Sequence, residues 1–147
     1  MIIRLQPMQI PTYWEAIKYA AVNADKVEDE YVAKYTNRLL YHLLNGKAQC
    51  FIGFSNERIL QRILITRIIT DEVRDEKSLF INCLYSFEIV SPKVWQAEFE
   101  AVKKFARSLG CTSITSWTIN ERAAEISRRL GMKDRFKSFI YDLRGGA

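Results

Sequence analysis

The chain has 147 residues, a length that suits one domain around one core. Its composition, 48% hydrophobic and 27% charged, is that of an ordinary globular chain, and no apolar run approaches the roughly 18 residues of a membrane span. The formal net charge of +5 is unevenly placed: residues 1–100 hold 12 basic and 13 acidic side chains, residues 101–147 hold 10 and 4.

Thr12 and Glu15 are spaced as a capping box, which predicts a first helix from Tyr13 with Trp14, Ile17 and Ala21 on its buried face. The acidic cluster Asp25, Glu28, Asp29 and Glu30 suits the positive end of a second helix. Val32, Tyr35, Leu39 and Leu43 give that helix an apolar stripe, and Asn45-Gly46 stops it. A meander follows. Residues 50–54 read as a strand, 55–57 as a turn, the Ile-rich 58–70 as a long strand and 71–77 as a charged connection. Over 78–87 the side chains alternate, Leu79, Ile81, Cys83, Tyr85 and Phe87 against Phe80, Asn82, Leu84 and Ser86. Both sets are largely apolar, so this is expected to be a central strand covered on both sides.

Ser91-Pro92 pairs an N-cap with a proline at the first helical position. Trp95, Phe99, Val102, Ala106 and Leu109 recur at spacings of 4, 3, 4 and 3, which predicts a helix over 92–109 ended by Gly110. Residues 112–119 are β-branched and strand-like, Asn120 precedes a short helix over 121–130, and Gly131 closes it. Residues 136–143 supply a last strand, and 144–147 read as a flexible tail. The expected order is ααβββαβαβ within a single domain spanning 1–147. Strand 78–87, helix 92–109 and strand 112–119 form a β-α-β unit, expected to be parallel and right-handed. The fold class is α/β, a mixed sheet with helices on both faces.

The segment Asn120 to Met132 has a distinctive spacing. An Asn ends a strand, Ala123 follows three residues later, Ile126 six later, Arg129 nine later, and Gly131-Met132 closes the helix. This pattern resembles the last motif of the GCN5-related N-acetyltransferase (GNAT) superfamily, and the element order resembles that fold across nearly the whole chain. The resemblance implies acetyl-CoA bound where two parallel strands splay apart, with direct transfer of the acetyl group to an amine. Small divergent members of this kind occur in bacteriophages, sometimes as virion components.

In that family a loop of the form Arg/Gln-x-x-Gly-x-Gly holds the pyrophosphate at the start of the helix after the central strand, where amides and dipole attract the anion. The corresponding positions here are Val90, Lys93 and Trp95; no glycine occurs from Phe54 to Leu109, and Pro92 removes an amide donor. Lys93 offers a point charge to a phosphate. Asn120 either contacts the CoA arm or caps helix 121–130. With Arg129, the basic residue of the motif, these are the candidate cofactor-binding residues. Ser127 stands where the family usually carries a tyrosine general acid, and a serine hydroxyl titrates far above neutrality. Tyr85 and Tyr141 are substitute phenols, and Glu88, just past the central strand, is the best-placed base. The catalytic candidates are therefore Glu88, Tyr85 and Ser127.

Other chemistries lack support in the sequence. One histidine, His42, cannot build a His-rich metal site, and Cys50, Cys83 and Cys111 show neither a disulfide framework nor a CxxC pair, which points to a reducing cytoplasm and no metal. The start Met1-Ile-Ile-Arg lacks the plan of a signal peptide, so no membrane partner is expected.

Three functions compete. The first is an acyl-CoA-dependent N-acyltransferase with an altered phosphate loop, taking an amine, for which the acidic cluster would suit a cation. The second is a catalytically inactive GNAT-like domain used for assembly, with a protein partner or a homo-oligomer, in a cytoplasm or a phage particle. The third is nucleic-acid binding through the basic last third, where Arg122, Arg129 and Lys133 fall at helical spacings of 7 and 4.

Overall fold

The computed structural model describes residues 2–118, 120–135 and 137–145. Its elements are β1 (Ile2–Arg4), α1 (Ile10–Asp25), α2 (Val32–Leu44), β2 (Ala48–Phe54), β3 (Leu60–Asp71), β4 (Glu76–Ser86), α3 (Pro92–Ser108), β5 (Ser113–Ser116) and α4 (Glu121–Arg129). Short 3-10 turns at Pro7–Gln9 and Asp29–Tyr31 lead into α1 and α2. The strands make one sheet in the order β1-β2-β3-β4-β5, antiparallel throughout except for the parallel β4–β5 pair. This is the expected mixed α/β sheet, with helices on both faces.

Each face of the sheet has its own core. On one, Ile10, Ile17, Ala20 and Ala21 of α1 and Leu43 of α2 pack onto Cys50, Ile52, Ile63, Ile65 and Cys83. On the other, Phe99, Val102 and Ala106 of α3 pack onto Phe51, Leu64, Leu79 and Ile81. Removing such a side chain from water is worth about 1.5–3 kcal/mol, so the helical stripes read from the sequence are what fix α1, α2 and α3 to the sheet. Beneath α3 lies a buried charge pair: Arg62 of β3 meets Glu98 of α3, with side chains 2% and 6% exposed. The contact is ionic and not aligned as a hydrogen bond, since Arg62 Nε and both Glu98 carboxylate oxygens lack a hydrogen-bond partner. The guanidinium lies across Gly53 of β2 so closely that a Cβ there would sit 2.6 Å from Arg62 Nε.

The structure corrects the sequence reading at four places. β1 was not anticipated; three residues carry too little alternation to be seen, and they gain strand form by pairing with β2, Ile3 opposite Ile52. The first helix begins at Ile10 and not at Tyr13, because the turn Pro7–Gln9 feeds it directly and Pro11 fits its first turn. That entry is closed by the Gln6 amide donating to Gln9 Oε1 at 2.7 Å, so the Thr12–Glu15 box is not what starts the helix. Residues 137–143 form no strand, and Phe139, Ile140, Tyr141 and Leu143 are 86% to 90% exposed. Phe136 of that expected strand, Ile119 of the strand expected over 112–119, and Met1, Gly146 and Ala147 at the chain ends lie outside the described residues.

The fourth correction sets up the site. Along β4, Ile65 of β3 pairs with Cys83 while the next residue, Thr66, pairs with Ile81. Asn82 is thus an inserted residue, a β-bulge. An inserted residue shifts the period-2 pattern by one and exchanges the faces beyond it. Leu79 and Ile81 accordingly join the core under α3, whereas Cys83 and Tyr85 join the core under α1. The apparent single face Leu79-Ile81-Cys83-Tyr85 is two faces joined at a bulge.

Candidate active site

β4 and β5 pair from Ser78 opposite Ser113 as far as Ile81 opposite Ser116, and the register ends there, at the bulge. The strands part at this point and leave a cleft of about 460 Å³. Its walls come from Phe80, Ile81, Asn82 and Leu84 of β4, from Ser116 at the end of β5 with Trp117 and Thr118 after it, and from Asn120, Ala123 and Ser127 along one side of α4. The far wall is Ala24 and Asp25, at the end of α1, together with Arg67 of β3.

Asn120 is the N-cap of α4. Its Oδ1 accepts from the Arg122 amide at 2.9 Å and from the Ala123 amide at 3.3 Å, and this fixes the helix start against the cleft. Ser127 donates its hydroxyl to the Ala123 carbonyl at 2.8 Å, one turn back along α4. Of the six residues predicted from sequence, these two reach the cleft. Arg129 lines a second, smaller groove of about 210 Å³ between the start of α3 and α4, where it pairs with Glu125 at 2.8 Å. Tyr85, Glu88 and Lys93 line neither space. Tyr85 sits among aromatic rings on the α1 side, with Tyr19 and Phe87, and burial followed by the neighbouring Tyr19 raises its pKa. Glu88 is exposed beyond β4, where Gln61 donates to it at 3.3 Å. Lys93 is exposed in the first turn of α3. Tyr141, the other substitute phenol, is exposed on the 137–143 segment.

Tyr35, Arg67 and Asn82 were not assigned to the site by sequence reasoning, and Asp25 entered it only as one member of an acidic cluster suited to a cationic amine. Asp25 closes α1, and the following Lys26 takes a left-handed backbone, φ 49°, which turns the chain away so that the carboxylate faces the cleft. Tyr35 of α2 donates its hydroxyl to Asp25. Burial holds the Asp25 carboxyl above its ordinary value, against the opposing effects of the Tyr35 hydrogen bond and the Arg67 guanidinium. Burial also pushes the Tyr35 phenol up, with the adjacent Asp25 adding to the shift. Arg67 lies over the Phe80 ring, 5.2 Å from its centroid, and donates to Asn82 Oδ1 at 2.5 Å, so the bulged residue is tied to the cleft wall. Both acidic and phenolic members were visible in the sequence, Asp25 in the acidic cluster and Tyr35 in the α2 stripe. Nothing in their spacing of ten residues shows that a turn folds one onto the other.

The sequence matches no family model and no curated protein. Solved structures give a different answer. A predicted acetyltransferase with acetyl-CoA from Clostridium acetobutylicum matches with a TM-score of 0.74 at 11% identity, covering 97% of this chain and 96% of that one. A ribosomal-protein-alanine N-acetyltransferase from Brucella melitensis biovar Abortus matches at 0.70 and 11% identity, over 97% and 99% of the two chains. An aminoglycoside antibiotic 6'-N-acetyltransferase from Acinetobacter baumannii matches at 0.70 and 12% identity, over 99% of both. The chain has the GNAT fold. Its β4–β5 cleft is the parting of parallel strands that the resemblance led us to expect.

The cleft leaves open space beside the unpaired ends of β4 and β5. The start of α3 offers a different surface from a glycine loop. Pro92 occupies the first helical position, and Trp95 is buried, its indole Nε1 without a hydrogen-bond partner among the described residues, lining the groove with Val90, Ile126 and Leu130. The cations lining the same groove are Arg122 and Arg129. Among the described residues no group of three or more His, Cys, Asp and Glu is placed to hold a metal, and no helix is long and apolar enough to cross a membrane.

Proposed function

We propose that the chain is an acyl-CoA-dependent N-acyltransferase that receives the acyl thioester in the β4–β5 cleft and an amine at Asp25. The observation that carries this reading is the half-buried Asp25 carboxyl, held by Tyr35, on the cleft wall opposite Ser127. An amine must lose a proton to become a nucleophile. A carboxylate in a partly dry wall is a better proton acceptor than one in water, because burial disfavours its charge. The same carboxylate attracts a cationic amine, so one group both positions the acceptor and relieves it of its proton. Acyl-CoA, when bound, supplies the activated acyl group. On the phosphate side, Arg122 and Arg129 of α4 take the role that glycines and free amides have in the family. The fold of the solved relatives supports the reading, and one of those relatives carries acetyl-CoA.

The test is a transfer assay with acetyl-CoA and a panel of cationic amines, read by mass spectrometry of the acceptor together with released free thiol. The expected result is a mono-acetylated amine that disappears in Asp25→Asn. A chain that binds acetyl-CoA but acetylates nothing would contradict it.

A second reading is favoured by specific features. Ser127 has its hydroxyl engaged with the Ala123 carbonyl, and the Trp95 ring lines the groove where the family's glycines would let backbone approach phosphate. On this reading the fold is kept as a non-catalytic interaction domain, and a virion role would be one instance. Nucleic-acid binding has less behind it: Arg128 pairs with Asp134 at 3.5 Å and Arg129 with Glu125 at 2.8 Å, so two of the α4 cations already face carboxylates.

A further inference from the structure

We infer that the acceptor is a free α-amino acid with an uncharged side chain, its ammonium held at Asp25 and its carboxylate at Arg67. The inference rests on the reading of the β4–β5 cleft as a site of acyl transfer to an amine, and it narrows the acceptor within that reading.

Asp25 and Arg67 are the charged side chains among the described residues that line the cleft, and they carry opposite signs. They do not neutralise each other by contact. Asp25 accepts from the Tyr35 hydroxyl through Oδ2, and Arg67 donates from Nε to Asn82 Oδ1. Neither makes an ion pair among the described residues, yet the guanidinium is near enough to pull the Asp25 carboxyl and the Tyr35 phenol downward against their burial. A fixed anion and a fixed cation thus share one cleft at a separation longer than direct contact.

Each of the two groups is held with its binding end open. The Phe80 ring supports one face of the Arg67 guanidinium, 5.2 Å from Cζ, and Trp117 in turn packs edge-on against Phe80 with ring centroids 5.2 Å apart. Asn82 takes the Nε edge. Nη1 and Nη2 are left without a hydrogen-bond partner among the described residues, and that end of a guanidinium receives a carboxylate through two parallel hydrogen bonds. On Asp25, Oδ1 has no donor among the described residues and can accept from an ammonium.

An α-amino acid carries its ammonium and its carboxylate on one carbon, so it meets both charges at once. A polyamine would bring a second cation toward Arg67, where like charge works against binding. A peptide N-terminus would offer a neutral amide in place of the carboxylate and leave Arg67 unpaired. The rest of the lining is uncharged, with Phe80, Ile81, Leu84 and Trp117 as its large apolar members. A charged side chain would lose water there without gaining a counter-charge.

In the transfer the ammonium gives one proton to the Asp25 carboxylate. The freed nitrogen attacks the thioester carbonyl, the N–C bond forms and the C–S bond breaks. One of the two remaining nitrogen protons ends on the departing thiolate. The products are an N-acyl amino acid and the CoA thiol, and Asp25 returns its proton to solvent. Acylation removes the positive charge that Asp25 held, which favours release of the product.

The experiment uses the full chain with acetyl-CoA. The common amino acids are screened, and the best acceptor is compared with the amine that lacks only its carboxylate and with spermidine. The amino acid should exceed both in kcat/KM by at least about 100-fold, because a site built for a carboxylate rejects the analogue without one. Arg67→Gln should cut that preference at least about ten-fold, and the loss should appear in KM for the amino acid, since Arg67 binds away from the reacting nitrogen. Arg67→Lys keeps the charge without the fork and should recover part of the preference. Equal kcat/KM for the amino acid and its decarboxylated amine in the wild type, or a preference untouched by Arg67→Gln in a folded variant, would overturn the inference and leave acyl transfer to an amine standing. Acetylation of none of the amines would remove the acyl-transfer reading and this inference with it.

Discussion

Ile81 and Cys83 are two positions apart in β4 and lie on opposite faces of the sheet, Ile81 under α3 and Cys83 under α1. Asn82 between them is the inserted residue, and the parting of β4 from β5 begins beside it. Deleting Asn82 should make Ile81 and Cys83 neighbours, opposite Thr66 and Ile65, and straighten β4 while leaving each side chain on the face it already occupies. Both cores stay filled, so the expected loss stays below the roughly 4 kcal/mol that marks core disruption. Asn82→Ala keeps the insertion and loses only the Arg67 hydrogen bond, about 0.5–1.5 kcal/mol. Urea denaturation of the two variants checks both values; a loss above about 4 kcal/mol on deletion would mean that Asn82 is not the inserted residue.

The buried Arg62–Glu98 pair makes a second prediction. Glu98→Ala should cost about 3–5 kcal/mol, because it leaves a guanidinium buried without its counter-charge. Replacing both residues by Met should restore most of that loss. Gly53→Ala should be destabilising by about 1–3 kcal/mol, since the added Cβ meets the same guanidinium. In the background lacking Arg62 this cost should shrink, and a double-mutant cycle by denaturation measures the coupling.

Asp25 gives a prediction in pH. Burial raises its folded pKa above the ordinary 3.8, so the folded state prefers the protonated carboxyl. The stabilisation associated with that proton is fully present below the ordinary value and is lost as pH rises through the raised one. At neutral pH the ionised Asp25 therefore works against stability. Asp25→Asn, which still accepts from Tyr35, should raise the melting temperature at pH 7, and its advantage should fade as pH drops toward 3.8 and below. The same variant should lower transfer by about 10²–10⁴-fold, the usual contribution of a general base. Unchanged turnover in a stabilised variant would remove Asp25 from the chemistry.

Ser127→Tyr places a phenol at the position where the family carries its acid, on the turn of α4 that faces the cleft. The account predicts faster transfer in this variant, by up to about 10²-fold. Single-turnover measurement of thiol release checks it, and a variant that binds acetyl-CoA as well as wild type with no gain would show that protonation of the thiolate is not what the chain lacks.

Much of this fold was legible from residue spacing, because a helix that buries one stripe must repeat that stripe. Ile17 and Ala21 in α1, and Phe99, Val102 and Ala106 in α3, lie where the periodicity put them. The Asn120 cap was legible for the same reason: a cap is local chemistry, one side-chain oxygen facing two amides of its own helix. What escaped depends on contacts between distant residues. β1 exists through its pairing with β2, the bulge at Asn82 is defined by the register of β3, and the Asp25 carboxylate is held at the cleft by Tyr35 of α2, ten residues on. Residues 137–143 have the composition of a strand, and a strand needs a neighbour that composition cannot supply.

The central claim is that the β4–β5 cleft receives an acyl thioester. Calorimetric titration of acetyl-CoA into the wild-type chain and into Ala123→Trp, whose indole would fill the cleft from α4, tests it most directly. The account predicts one site per chain in the wild type and at least a ten-fold weaker site in the variant. No heat at millimolar acetyl-CoA, or equal affinity for both proteins, would contradict it.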